Sequence, residues 1–520
     1  MKKIAFKLTV SVLIAGLSDP VSAADSALQS SAVPVTTQQS TQGIASVVSA
    51  CNSSTPKLTV NIDTNSVLRK NTPPGIFGYT VDWSWFQKGY VRNQVVNPDV
   101  ISWLAPFKGA TYRYSGGNAF EWRNAVGPIA QRKPVNRYSN IIPVFGPAEF
   151  FNFIHKVNGK AVILLDVLHA SLNNAQMIAD NLAYLKWIDQ NVPNGLGPNS
   201  VVKYFELGNE LDTGSPGWSA ATYISRVKGL ITAAKRRYPD VKFAVMGKTV
   251  PWGPEADSSG QNFDATVAAG LAPIADAVTI HPYYDGYPIN MIQGYIDERA
   301  RQYQRFNPAI KVLVTEHGRW PPVPKPPVSW ATTWYVASGS AGGISSADYM
   351  LMALSDANIA GSEWHTIATD GPWQLFHLDN TTDQPYPSAV YWAFRAIHEG
   401  FLNDVVAVNP ALVSGNSYGG GYDLRFLAMK NNTGNASLMG VNRSSFSRLL
   451  SLKAAGIPPD TSNMEIVVFQ ADAASSDDTD NDQSRFKMKT ATWHYSPANG
   501  LPVICIPPDS AFSIILGARN

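Results

Sequence analysis

Charged residues make up only 15% of the 520-residue chain, and 41 Lys and Arg against 39 Asp and Glu leave a formal net charge of +2. Lacking a strong field of one sign, the chain shows no electrostatic basis for a nucleic-acid partner or for attraction to a membrane surface, and a neutral or mixed substrate fits better. Cysteine is scarcer still, with only Cys51 and Cys505. An even count in an exported chain permits one disulfide joining the two ends of the fold, although spacing alone leaves their proximity open. There is no GxxxxGK[ST] phosphate loop, no HExxH zinc pair and no GxSxG nucleophile elbow, so three enzyme classes lose support. No apolar run reaches the ~20 residues that a spanning helix requires.

Hydrophobic residues at 45%, with 14 Trp, 21 Tyr and 21 Phe, give enough apolar material for a large globular core, and the length suggests two units. Lys2 and Lys3, the apolar stretch from Leu8 to Leu17 and Val21-Ser22-Ala23 before Ala24 match a secretory leader over 1–23, implying a secreted or periplasmic protein with no membrane attachment after cleavage. Residues 24–56, rich in Ser, Thr and Gln, read as a flexible tether. The alternating run LTVNID falls within an N-terminal strand segment, 57–72, and Pro73-Pro74-Gly75 then breaks the chain.

Over 73–401, short apolar runs alternate with amphipathic helices, the α/β pattern of a parallel sheet. Eight strands are expected at 76–81, 109–114, 161–167, 202–207, 242–246, 277–280, 312–315 and 359–364, the number that closes a (β/α)8 barrel. After the fourth, Ser219 caps a helix whose face is Tyr223, Val227, Leu230, Ile231 and Ala234, with Lys235, Arg236 and Arg237 at its C-terminal end and Pro239 beyond. Ile178, Leu182, Leu185 and Ile188 form a comparable face one helix earlier. From 402 to 520 the pattern changes to short strands split by Gly, Asn, Ser and Asp (YDLRFLAMK, ASLMGVN, MEIVVFQ, SRFKMKTATW, PVICIP, FSIILGA), an accessory antiparallel β-sandwich. LTVNID, with no helix before it, is expected to join this sandwich and bring Cys51 near Cys505.

Barrels of this kind carry function where strands end and βα loops begin. The fourth strand ends YFELGNELD, presenting Asn209 and Glu210; the seventh ends KVLVTEHG, presenting Glu316. Two such carboxyls are what glycoside hydrolysis needs, one to protonate the leaving oxygen and one on the opposite face of the anomeric carbon. The sixth strand ends AVTIHPYY, offering His281 and Tyr283 as hydrogen-bond partners that keep Glu316 ionised. The second ends TYRYSGGN, where Arg113 lowers the nucleophile's pKa by opposite charge and Asn118 donates to a hydroxyl. Trp364, in SEWH at the eighth strand, reads equally as a platform for a sugar face or as a core tryptophan. Lys248 and Arg319 read as solvated charges, with a uronate partner as the other possibility. Asp478-x-Asp480-x-Asp482 has part of a calcium-loop pattern, but Gln483 stands where that loop needs Gly.

These residues resemble clan A of the retaining glycoside hydrolases, whose fourth strand ends in Asn-Glu and whose seventh delivers a nucleophilic Glu. RYSGGNAFEWRNAVGPIAQRKP, with FGPAEFFNFIHKVNGKAVILLDV and YFELGNELD, is similar to the family 51 α-L-arabinofuranosidases. That resemblance implies a barrel with a β-sandwich, a carbohydrate substrate and no metal or organic cofactor. It also implies that Asn209 contacts the hydroxyl beside the anomeric carbon, Glu210 serves as acid/base, Tyr283 steadies Glu316 and Glu316 attacks. Thr315-Glu316-His317-Gly318 departs from the Asp-Glu-Trp type sequence usual there and looks more like the glucuronidase, heparanase and endoglucanase branches. Besides β-glucuronidase or endoglucanase activity, the sequence leaves room for a transglycosylase or a catalytically silent carbohydrate-binding protein.

Overall fold

The computed structural model describes residues 51–517 apart from 85, 116–119, 136–139, 168–171, 215–218, 249–257, 286–287, 321–334, 370, 416–419, 458–461, 471–487 and 495–499, together with short strands at 36–39 and 44–45. The leader, Asn118 and the Asp478–Asp482 run lie outside the described residues.

Eight parallel strands close a barrel surrounded by helices: Gly78–Thr80, Thr111–Tyr114, Lys160–Leu165, Val202–Leu207, Phe243–Met246, Ala277–Ile280, Lys311–Arg319 and Ile359–Trp364. Each pairs with its neighbour in sequence order, and Glu363 and Trp364 return to pair with Gly78 and Tyr79. All eight expected strands are present, displaced at most by a residue or two at most ends. The seventh runs on to Arg319 because a two-residue strand, Tyr283–Tyr284, pairs with Gly318 and Arg319 at the rim.

The helix Ala220–Arg237 starts as its sequence indicates: the Ser219 side chain accepts from the Thr222 backbone N–H, and Tyr223, Val227, Leu230, Ile231 and Ala234 are all fully buried. In the helix Asn174–Asn191 the buried stripe is Met177, Asn181, Tyr184, Leu185 and Ile188, with Ile178 and Leu182 only partly covered. The face is turned from the one expected because Tyr184 stacks on Trp122, an inter-element contact that helical periodicity does not encode.

The accessory domain is one curled, mainly antiparallel twelve-stranded sheet around its own apolar core of Val60, Ile62, Phe426, Ile466, Trp493 and Phe512 among others. The long strand Lys57–Arg69 lies inside it, antiparallel to Asp404–Asn409 and parallel to Arg448–Ala455. Within the stretch read as a tether, Thr36–Gln39 and Ile44–Ala45 pair with strands of the same sheet. A disulfide joins Cys51 to Cys505, with Cα atoms 5.8 Å apart. Among the described residues, no helix is long and apolar enough to cross a membrane.

Candidate active site

At the C-terminal rim of the barrel four strand ends converge on a connected polar cluster. Arg113, fully buried on the second strand, forks across three acceptors: Nε to Glu206 Oε2 at 2.5 Å, one terminal nitrogen to Glu316 Oε1 at 2.7 Å and the other to Asn209 Oδ1 at 2.5 Å. Guanidinium geometry suits this role, since its donors lie in one plane with fixed spacing. Tyr283 donates to the other oxygen of Glu316 at 3.0 Å. Burial pushes the Glu316 carboxyl upward, but the charges of His281 and Arg113 and the Tyr283 hydrogen bond outweigh it and hold the group well below the usual carboxylate range. Glu316 is therefore an ionised carboxylate in a nearly closed site.

His281 links the cluster to Glu210. Thr315 donates its hydroxyl proton to Glu206 Oε1 at 2.7 Å, so its oxygen accepts from Nε2–H of His281 at 2.9 Å. With Nε2 protonated, Nδ1 faces Glu210 Oε1 at 2.8 Å, a contact that requires one proton on one side or the other. Burial disfavours charge on the imidazole, yet the surrounding Glu316, Glu206 and Glu210 raise His281 to about 10. The pair thus stores a proton within reach of the rim. Glu210 has its side chain about a third exposed, and its backbone is left-handed at φ 48°.

Oxygens of Glu210 and Glu316 and a ring nitrogen of His281 lie within 4.8 Å of one another. Such a set could ligate a cation, but Arg113 already neutralises Glu316, and a cation would have to displace the His281 proton. An acid/base pair facing an ionised carboxylate is the arrangement these charges favour.

Arg113, Asn209, Glu210, His281, Tyr283 and Glu316 are thus brought together. Trp364 is not part of the opening: it is fully buried, packed edge-on to His317 and Phe394, and has no face free for a sugar. The aromatic surface beside Glu316 is built instead from Tyr283, Trp320 and Trp373, with ring centroids 5.1 to 5.7 Å apart and Trp320 44% exposed. Arg319 is not a solvated charge, since its guanidinium is held by Asp285 at 2.7 Å and by the Val336 carbonyl at 2.8 Å. The Lys248 backbone N–H donates to Asp264.

Four residues of the cluster escaped the sequence reading. Glu206 lies within the fourth strand and Thr315 directly precedes Glu316 on the seventh, and the signal for Glu206 is a charge within the apolar run YFEL. Asp82, raised to about 6 by burial with a contribution from Glu316, follows the first strand. His365 sits with Nδ1 3.7 Å from Glu316 Oε2. A separate cleft of about 810 Å³ lies where the barrel meets the accessory sheet, lined by Asn71, Lys108, Arg395, His398 and Asn431 among others, and contains none of these groups.

The architecture recurs in solved structures. An α-L-arabinofuranosidase from Thermotoga maritima in complex with arabinose superposes with a TM-score of 0.70 at 14% identity, covering 88% of this chain and 99% of the other. A family 51 α-L-arabinofuranosidase from Bifidobacterium longum gives 0.68 at 15%, covering 89% and 100%. A family 44 xyloglucanase from Paenibacillus polymyxa with xyloglucan gives 0.57 at 12%, covering 89% and 99%. The shared feature is the fold. No protein-family model and no curated protein matches the chain.

Proposed function

We propose that this protein is an exported retaining glycoside hydrolase of the arabinofuranosidase type, with Glu316 as nucleophile and Glu210 as acid/base. The observation that carries the reading is that an oxygen of each carboxyl lies within 4.8 Å of the other at the barrel rim, one group clamped as an anion and the other joined to a proton-bearing imidazole. Retaining enzymes hold these groups about 5 to 5.5 Å apart, whereas inverting ones need about 6.5 to 9.5 Å to admit a water molecule.

In the first step Glu316 attacks the anomeric carbon while the proton of the His281–Glu210 pair, placed on Glu210, passes to the leaving oxygen. A water oxygen then bonds to the anomeric carbon as its bond to Glu316 breaks, and Glu210 takes the water proton, which frees the sugar and restores both groups. Arg113 and Tyr283 hold the attacking carboxylate, and Asn209, fixed by Arg113, lies beside it to meet a sugar hydroxyl. Tyr283, Trp320 and Trp373 supply apolar faces for the ring. The folds of the arabinofuranosidases and of the xyloglucanase support this reading, and Arg319, already occupied by Asp285, gives no support to a uronate.

A panel of aryl arabinofuranosides, xylosides, glucosides and glucuronides tests it, with NMR of the first product anomer. The expected result is turnover of the arabinofuranoside with the anomer unchanged. An inverted product, or a Glu316→Gln variant as active as the parent, would overturn it.

A further inference from the structure

A buried ion network that the reaction as described does not employ joins the barrel to the accessory sheet. Asp285 ends the short strand Tyr283–Tyr284, with backbone φ 69°, a left-handed conformation that Asp tolerates. Its carboxylate receives Arg319 Nε at 2.7 Å and Arg443 at 3.0 and 3.2 Å, and the Ser345 hydroxyl also donates to it. Arg443 comes from the accessory sheet, immediately after the strand Ala436–Asn442, and is only 5% exposed. Its other terminal nitrogen binds Asp348 at 2.7 Å on the helix Ser340–Ser355, where Arg425 and Tyr422, also from the accessory sheet, meet the same carboxylate.

The barrel end of this network touches the site. Tyr283, two residues before Asp285, donates to Glu316; Gly318 and Arg319, on the Glu316 strand, pair with Tyr283 and Tyr284; and the Arg319 carbonyl accepts from Trp373 Nε1 at 2.7 Å. We propose that Arg443 is a positioning residue supplied by the accessory sheet, which holds Asp285 and thereby aims Tyr283 at the nucleophile. The sheet then completes the active site as well as covering the barrel. The mutual attraction of Arg443 and Asp285 acts in a nearly closed interior, where a charged hydrogen bond has well-defined geometry. Removing Arg443 leaves Asp285 with Arg319 and Asp348 with Arg425, so neither carboxylate is stranded and the variant retains a route to folding.

This proposal rests on the reading of Glu316 as nucleophile only for its kinetic arm. In Arg443→Met, kcat for an aryl glycoside should fall about tenfold or more with KM little changed, and the acid limb of the pH profile should move to higher pH as Glu316 loses a donor. In a Tyr283→Phe background the same substitution should cost less than about threefold, because its effect passes through the missing hydroxyl. Arg425→Met, which loosens the same helix without touching Asp285, should lower thermal stability and leave the pH profile unchanged. A crystal structure of Arg443→Met gives an arm that needs no substrate, and the Tyr283 hydroxyl should lie beyond 3.5 Å from Glu316. If that hydrogen bond persists, or if the losses from Arg443→Met and Tyr283→Phe simply multiply, the proposal is wrong. An inactive parent enzyme with Tyr283 displaced in the variant would sink the glycosidase reading and leave this one standing.

Discussion

Nδ1 of His281 lies 2.8 Å from Oε1 of Glu210, and the hydrogen bonds on the far side of the ring leave a single proton to serve both atoms. The proton held in this contact is the one the acid step uses, so the alkaline limb of kcat/KM should report His281. With His281 raised to about 10, that limb is expected well into the alkaline range. In His281→Asn the proton has one seat instead of two, and the limb should shift to lower pH by at least one pH unit. Profiles that superimpose would mean that the imidazole does not share the acid's proton.

Glu210 itself is tested by leaving-group chemistry. Glu210→Ala should reduce turnover of natural glycosides by about 10²- to 10⁴-fold, the usual contribution of a positioned acid. Aryl substrates with very acidic phenols need little proton assistance and should lose far less in the glycosylation step. Equal losses on both substrate classes would remove Glu210 from the acid role.

Much of this was legible in the sequence, for a definite reason. Parallel barrel strands are buried on both faces, so each appears as a continuous apolar run, and a polar residue at its end is conspicuous, as Arg113, Glu210, His281 and Glu316 all are. Glu206 was harder to recognise because it sits within its run, paired to an arginine 93 positions away, and pairing at that range leaves no local signature. Trp364 and Trp373 illustrate the same limit. Both are tryptophans close to the end of the eighth strand, and only packing decides that the first faces the core and the second stands by the opening. In the accessory sheet, Asp404–Asn409 and Arg448–Ala455 carry no hairpin signal, because both pair with the distant strand Lys57–Arg69.

Inside the barrel, Glu363 offers a stability test independent of catalysis. Thr111 has one hydroxyl proton and two partners, the Gly75 carbonyl at 2.8 Å and Glu363 Oε1 at 2.7 Å. The carbonyl can only accept, so a protonated Glu363 donating to Thr111 satisfies both contacts. Burial, the main cause, pushes this carboxyl up to about 8 from its ordinary 4.5. A group whose folded pKa is raised contributes fully below the unfolded value and loses that contribution as pH rises through the folded one. Stability should therefore decline between about pH 4.5 and 8 through this residue. Glu363→Gln should flatten the decline, leaving the variant more stable than the parent at pH 9 in denaturant titrations, at about 1.4 kcal/mol for each tenfold difference in proton affinity removed. Parallel curves for the two proteins would show that Glu363 is ionised in the folded state.

The disulfide makes the opposite kind of prediction, a stability effect with no catalytic one. Cys505 lies opposite Leu449 in the accessory sheet, and Leu449 also lies beside Lys57, so the sheet already brings the Cys51 end of the chain to this place. The covalent link is nearly redundant in the folded state. In the unfolded chain it closes a loop of 454 residues, and the entropy it removes grows only slowly with that length. Replacing both cysteines by serine should therefore cost about 2 to 5 kcal/mol in chemical denaturation. The rim is built from strands of the barrel, a different sheet, and kcat/KM on an aryl glycoside should stay within about twofold of the parent. A large loss of activity in a variant that is still folded would mean that the termini influence the rim through a connection other than the sheet.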